Sequence, residues 1–175
     1  FCLSRGLGDV YKRQGKRFEE KKLFLPQLLM SAEAAKASFE VIKAAMSADG
    51  NSVKKGNIVI ATVHGDIHDI GKNIVKLLLE NYGYNVIDLG KNVPPETVLN
   101  AVIENHAPLV GLSALMTTTV PAMEETVKLV KEKAPWCKTV VGGAVLTQDY
   151  ANKIGADKYA ADAMESVRYA EAVIG

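Results

Sequence analysis

Residues 57–77 read NIVIATVHGDIHDIGKNIVKL, and this stretch decides the fold. Its first part, Ile58-Val59-Ile60-Ala61-Thr62-Val63, is a short apolar run rich in β-branched side chains, which predicts a buried strand. The run ends in His64-Gly65-Asp66-Ile67-His68-Asp69-Ile70-Gly71. A helical pattern follows, with Ile70, Ile74, Leu77 and Leu78 on one stripe. A charged, histidine-bearing loop therefore sits where a strand hands over to a helix. In open α/β sheets that edge is where ligands bind.

Toward the C-terminus the same alternation repeats. Strands are expected at about 58–63, 85–89, 109–113, 139–141 and 158–160, and helices at about 70–82, 94–105, 120–133, 147–154 and 163–173. Gly83 suits the residue just past the first helix, and Pro94-Pro95-Glu96 suits the start of the second. Five βα units of this length predict an α/β fold: a flavodoxin-like (Rossmann-like) doubly wound five-stranded parallel sheet, with strand order 2-1-3-4-5. The ends of strands one, three, four and five then face one crevice. Their turns are charged (65–71), hydroxyl-rich (113–119), glycine-rich (Gly142-Gly143-Ala144) and small (Asp162-Ala163), a set that suits a large ligand with a polar tail.

Upstream, residues 15–48 are helical in pattern. Pro26 fits a helix start, and Leu28, Leu29, Ala32, Ala35, Phe39, Ile42 and Met46 recur at helical spacing. Two helices cannot bury such a face alone, so the segment reads as part of a helical cap bundle. A polar linker around residues 49–56 divides the chain into a cap remnant, 15–50, and an α/β domain, 51–175. Residues 1–14, FCLSRGLGDVYKRQ, lack periodicity, and Asp9 to Gln14 resemble a translated transposase sequencing adapter. They are expected to be non-native and are set aside.

Composition narrows the function classes. The formal charge of +1 becomes −1 without Arg5, Lys12, Arg13 and Asp9, so neither nucleic acid nor an acidic membrane surface is expected as a partner. No apolar run approaches the ~18 residues of a spanning helix. Cys2 and Cys137 lie far apart without metal-ligand spacing, which points to a reducing, cytoplasmic setting.

The opening loop admits two chemistries. His68 is flanked by Asp66 and Asp69, and Asp66 can accept a hydrogen bond from one ring nitrogen, leaving the other for a metal. No further His, Cys or acidic cluster completes a zinc shell, so such a metal would bring most of its own ligands, as in a macrocycle. Acid–base catalysis by His68 and Asp66 is the rival. The run 112–119, LSALMTTT, either caps a helix through Thr118 or Thr119, or bonds a ligand or the Asp66 carboxylate. The helix beginning at Ile70 turns its N-terminus to the same crevice, which suits an anionic group.

Asp66-x-His68-x-x-Gly71, the Gly-Leu-Ser turn ending at Ser113, and Gly142-Gly143 together resemble the signature of corrinoid (cobalamin) binding modules. HGDIHDIGKNIV and VIDLGKNVPPE resemble methionine synthase and the corrinoid methyl-carrier proteins, and FLPQLLMSAEAA resembles their helical cap. The resemblance implies His68 as lower axial ligand to cobalt in a base-off, His-ligated cobalamin, with Asp66 holding the other ring nitrogen. Thr119 stands where methionine synthase completes this relay with a serine. Gly65 and Asp69 would border the corrin. Ser113 and Thr117 would contact the nucleotide tail, in a slot lined by Gly142, Gly143 and Ala163. From the cap, Phe18, Leu25 and Leu28 would shield the upper face.

The implied function is a methyl carrier, inactive alone. The first reading is a module of a methionine synthase-type enzyme, passing a methyl group from methyltetrahydrofolate to homocysteine through methylcobalamin. The alternative is a free-standing corrinoid shuttle for methanol, methylamine or methoxy-compound methyltransferases. Expected partners are the methyl-donor and methyl-acceptor domains or subunits and a reductive activation partner. A corrinoid-sensing regulator and a flavodoxin-like domain with another ligand are rivals from other classes; nothing in the chain is basic enough for a DNA-binding segment.

Overall fold

The computed structural model describes residues 55–175. The chain divides into two units, Phe1–Ser52 and Val53–Gly175, and the described residues belong to the second. The cap residues Phe18, Leu25 and Leu28 lie outside the described residues.

Five parallel strands alternate with five helices: β1 (Asn57–Thr62), α1 (Ile70–Asn81), β2 (Asn85–Asp88), α2 (Pro95–Glu104), β3 (Leu109–Ser113), α3 (Val120–Lys133), β4 (Lys138–Gly142), α4 (Gln148–Ile154), β5 (Lys158–Tyr159) and α5 (Ala163–Ile174). A short 3-10 turn, Thr117–Thr119, leads into α3. The sheet order is β2-β1-β3-β4-β5, as the sequence predicts. The chain reverses direction between β2 and β3, so the turns after β1 and β3 flank the switch point where doubly wound sheets bind ligands.

Strand alternation makes two cores from one sheet. Val59, Ala61 and Val63 join Val110, Leu112 and Val141 under Val98, Val102, Met123, Val127 and Val130 of α2 and α3. Ile58 and Ile60 point the other way, beneath α1 and α5. Helix ends follow local chemistry. Thr147 and Asp162 accept the N–H groups of Tyr150 and Glu165 as N-caps of α4 and α5. Gly83, at φ 92°, takes the left-handed conformation that stops α1.

The expected stripe of α1 is buried only toward its end. Ile70 and Ile74 are 78% and 45% exposed, whereas Leu78 is buried. Lys72 and Leu79 are buried with it. Lys72 is only 4% exposed because its Nζ turns in to Asp88 Oδ1 at the end of β2, 2.5 Å away. Asp88 also accepts from Lys76 Nζ (3.1 Å) and Gly90 N (2.9 Å), so three donors neutralise one carboxylate. A buried ion pair thus takes a place on the inner side of α1 that apolar spacing alone does not predict.

Candidate functional site

Asp66 is the centre of the loop after β1. Its side chain is fully buried, and both oxygens face only donors. Oδ1 accepts from His68 N (2.9 Å) and His68 Nδ1 (2.8 Å). Oδ2 accepts from Leu115 N (2.6 Å), Met116 N (3.3 Å) and Thr119 Oγ1 (3.0 Å). Burial pushes its pKa up, but the hydrogen bonds from His68, Leu115 and Thr119 outweigh burial and hold the carboxyl well below the usual range. Asp66 is therefore an anion at neutral pH.

An anionic acceptor dictates the tautomer of its partner. With Nδ1 donating to Asp66, the neutral ring of His68 keeps its lone pair on Nε2. Nε2 has no protein partner among the described residues, and the side chain is 46% exposed. Thr119 sits behind the carboxylate, buried, its single hydroxyl proton shared between Asp66 Oδ2 and Met116 O (2.8 Å). Although Thr119 precedes α3, its side chain makes no cap bond to that helix.

The loop backbone is shaped by left-handed residues. Gly65 has φ 82°, a conformation that favours glycine, and a Cβ there would lie 3.4 Å from Thr119 Cγ2. Asp69 is half-buried and precedes α1; its carbonyl accepts from Asn73 N (2.8 Å), and its side chain makes no cap bond.

Beside the loop, a cavity of about 280 Å³ opens between the sheet and helices α1 and α5. Ser113, Gly142, Gly143 and Ala163 line it, with Gly111 and Ser166. Two close backbone approaches build its rim. A Cβ on Gly143 would fall 1.8 Å from Ala114 O, and one on Gly142 would fall 3.3 Å from Ala160 O. Side chains there would wedge apart the turns after β3, β4 and β5.

Two groups of expected site residues thus come together: Gly65, Asp66, His68 and Thr119 in the loop network, and Ser113, Gly142, Gly143 and Ala163 around the cavity. Thr117 joins neither; it is exposed at the start of the 3-10 turn. Sequence reasoning missed Asn92, whose Oδ1 accepts from Gly65 N (2.7 Å) and whose own N–H donates to Asp66 O (2.9 Å). Its place within Gly-Lys-Asn-Val-Pro-Pro, a turn before a helix, was the available signal. Lys72, on the cavity wall, was also missed. Among the described residues, no three His, Cys, Asp or Glu side chains gather to hold a metal ion by themselves.

A family profile described as "B12 binding domain" matches residues 56–168, and a second with the same description matches residues 2–43. The second match begins inside the segment expected to be non-native. The chain is 42% identical over 174 residues to dimethylamine corrinoid protein 1 of Methanosarcina acetivorans, covering 98% of this chain and 82% of that one. It is 44% identical over 162 residues to dimethylamine corrinoid protein 3 of Methanosarcina mazei, covering 91% and 97%. Two solved structures are similar in fold at a TM-score of 0.78 each. One is a cobalamin-binding protein from Desulfitobacterium hafniense DCB-2, 31% identical over 99% of this chain and 80% of that one. The other is a chain of the methanol:cobalamin methyltransferase complex MtaBC from Methanosarcina barkeri, 35% identical over 98% of this chain and 64% of that one. With a strand-end loop of the matching pattern and these relatives along its length, the chain belongs to the B12-binding domain family of corrinoid proteins.

Proposed function

We propose that this chain is the corrinoid-carrying methyl shuttle of a methylamine methyltransferase system, binding the cofactor base-off with His68 as lower axial ligand to cobalt. Of the two family readings made from sequence, the relatives favour the shuttle; they lend no support to methionine synthesis. The observation that carries the ligand assignment is the Asp66–His68 bond, which engages Nδ1 and leaves Nε2 without a protein partner among the described residues on a half-exposed side chain.

The donor set suits such a group. One imidazole nitrogen is offered, and among the described residues no cluster of His, Cys, Asp or Glu competes with it, as suits a metal that arrives inside its own ring. When bound, the corrinoid supplies a cobalt centre that accepts and releases a methyl group. The chain's residues orient and tune. Asp66 holds the Nδ1 proton and makes Nε2 a better donor, while Thr119 O–H and the Leu115 and Met116 N–H groups hold Asp66 anionic. Ser113, Gly142, Gly143 and Ala163 form the slot for the displaced nucleotide tail. Gly65, Asp69 and Thr117 would border the ring and tail outside that slot.

The partners in this reading are methyl-donor and methyl-acceptor methyltransferase subunits, with a reductive activation partner. A relative of known structure is itself part of a methanol:cobalamin methyltransferase complex. A cytoplasmic site of action completes the reading; no helix among the described residues is long and apolar enough to cross a membrane.

The test is the visible spectrum after mixing with hydroxocobalamin. The protein as it stands should give a base-off, histidine-ligated spectrum, and His68→Ala should bind without that signature. Identical spectra for the two proteins would remove His68 as ligand. Methylation of the loaded protein in the presence of a dimethylamine methyltransferase, and not of a methyltetrahydrofolate-dependent one, distinguishes the shuttle from the methionine synthase reading.

A further inference from the structure

The loop that presents His68 is held by a residue from a different turn. After β2 the chain continues beside the extension of β1: Leu89 N donates to Ile60 O (2.9 Å), Thr62 N to Gly90 O (2.9 Å) and Val93 N to Thr62 O (3.1 Å). A final bridge pairs Val63 with Val93. Between Gly90 and Val93 the backbone turns through Asn92 at φ 55°, a left-handed conformation that Asn tolerates better than most non-glycine residues. This places Asn92 against Gly65-Asp66. Its side-chain Oδ1 accepts from Gly65 N (2.7 Å), and its backbone N–H donates to Asp66 O (2.9 Å).

We propose that Asn92 is a positioning residue for the site: it brackets the Gly65-Asp66 dipeptide from both ends and so fixes the direction in which His68 presents Nε2. Three observations carry this. Asp66 N donates to Val63 O (3.1 Å), just past β1, so the backbone of the dipeptide has one anchor there, and Asn92 supplies two more. Gly65 lacks a Cβ and sits at positive φ, so its backbone has conformational freedom that an outside clamp must remove. Asp66 in turn holds His68 through both backbone N–H and Nδ1, so any rotation of the dipeptide moves the ring. The two bonds made by Asn92 differ in kind. The backbone bond survives side-chain substitution; the Oδ1 bond needs an acceptor two atoms from the Cβ–Cα axis, which Asp also offers and Ala and Gly do not.

The consequence for cofactor affinity rests on the reading of His68 as a cobalt ligand. The positioning claim itself does not, so the decisive readout is taken without cofactor. Nitrogen-15 spectra of histidine-labelled protein report which ring nitrogen of His68 carries the proton. The unaltered protein should show one tautomer, protonated at Nδ1. Asn92→Ala and Asn92→Gly should both show mixed tautomers, and Asn92→Asp should restore the single form. With hydroxocobalamin, Asn92→Ala should bind about 10-fold more weakly and Asn92→Asp within about 2-fold of the unaltered protein, the range seen when a group behind a metal ligand is lost. Asn92→Gly keeps access to positive φ, so it carries the comparison if Asn92→Ala does not fold. A single Nδ1-protonated tautomer in the alanine or glycine variant overturns the proposal, whatever the affinity. Failure of the unaltered protein to bind hydroxocobalamin would defeat the functional reading while leaving the tautomer comparison decisive for Asn92.

Discussion

Two aspartates, one buried and one half-buried, lie at opposite ends of the parallel sheet and are built from similar parts. Asp66 follows β1 at the C-terminal edge; Asp157 precedes β5 at the N-terminal edge. Each grips a threonine hydroxyl: Thr119 Oγ1 at 3.0 Å from Asp66 Oδ2, and Thr139 Oγ1 at 2.8 Å from Asp157 Oδ2. Both carboxyls are held below their usual pKa against the opposing effect of burial. Their remaining donors differ. Asp157 pairs with Thr139 N (2.9 Å) on one oxygen and with the half-exposed amines of Lys138 (3.3 Å) and Lys131 (3.8 Å) on the other. Asp66 has fixed backbone N–H groups and one imidazole. Lysines can swing into water when the carboxylate is lost; backbone N–H groups cannot. Asp157 is a clamp that ties β5 to β4, whereas Asp66 passes its rigidity to a single side chain facing the crevice.

Removing charge at each position tests that contrast most strongly. Asp66→Asn must turn its NH₂ toward a donor whichever way the amide lies, so it should cost about 3 kcal/mol of stability in denaturant unfolding, the upper range for charged hydrogen bonds. Asp157→Asn keeps its oxygen on Thr139 and releases the lysines, so it should cost about 1 kcal/mol. Equal costs would erase the distinction between the two edges. The spectrum of the loaded protein should change in the first variant only.

Acid sharpens the comparison next. Both folded-state pKa values are depressed, so each carboxylate contributes stability that is fully present above the unfolded value of about 4 and is lost as pH falls through the folded one. Unfolding free energy should be flat in this term near neutrality and fall below about pH 4. Asp157→Asn should make that fall shallower, and a variant with an unchanged acid limb would show that Asp157 titrates as in the unfolded chain.

The threonines close the comparison, and the smallest effect of all should come from Thr119. Thr139 Oγ1 donates to Asp157 Oδ2 and also accepts from Asp157 N (3.1 Å), so Thr139→Val strips two bonds and should cost about 1.5 kcal/mol. Thr119→Val strips one donor from a carboxylate that keeps three N–H groups and an imidazole, and should cost about 0.5 kcal/mol. The reverse order, measured by thermal or denaturant unfolding, would break the analogy between the sites.

Much of this was legible because it is local. Apolar runs marked the central strands β1, β3 and β4, and Gly83, Pro94-Pro95, Thr147 and Asp162 punctuated the helices within a residue or two. Asp66 and His68 stand two residues apart, so their pairing could be expected from spacing. The unread parts depend on partners far along the chain. Lys72 reads as a surface lysine until Asp88, 16 residues on, is placed beneath it, and with it the inward face of α1. Asn92 meets Gly65 across 27 residues, and no period or cap signals that meeting. Thr117 and Thr119 are indistinguishable as hydroxyls in a row; only the 3-10 turn separates the buried one from the exposed one.

The spacing of the Asp66 network has a consequence for how the protein acquires its site. Leu115 and Thr119 lie 49 and 53 residues from the carboxylate they satisfy. Closing so long a loop carries an entropic cost that strand pairing between β1 and β3 must offset first. During folding, the histidine can therefore exist well before its carboxylate is fully held. A chain arrested before β3 docks would carry the whole Asp-x-His motif and yet lack the Leu115, Met116 and Thr119 donors that fix Asp66. The order of assembly, rather than the motif alone, decides when the molecule becomes able to take up its ligand.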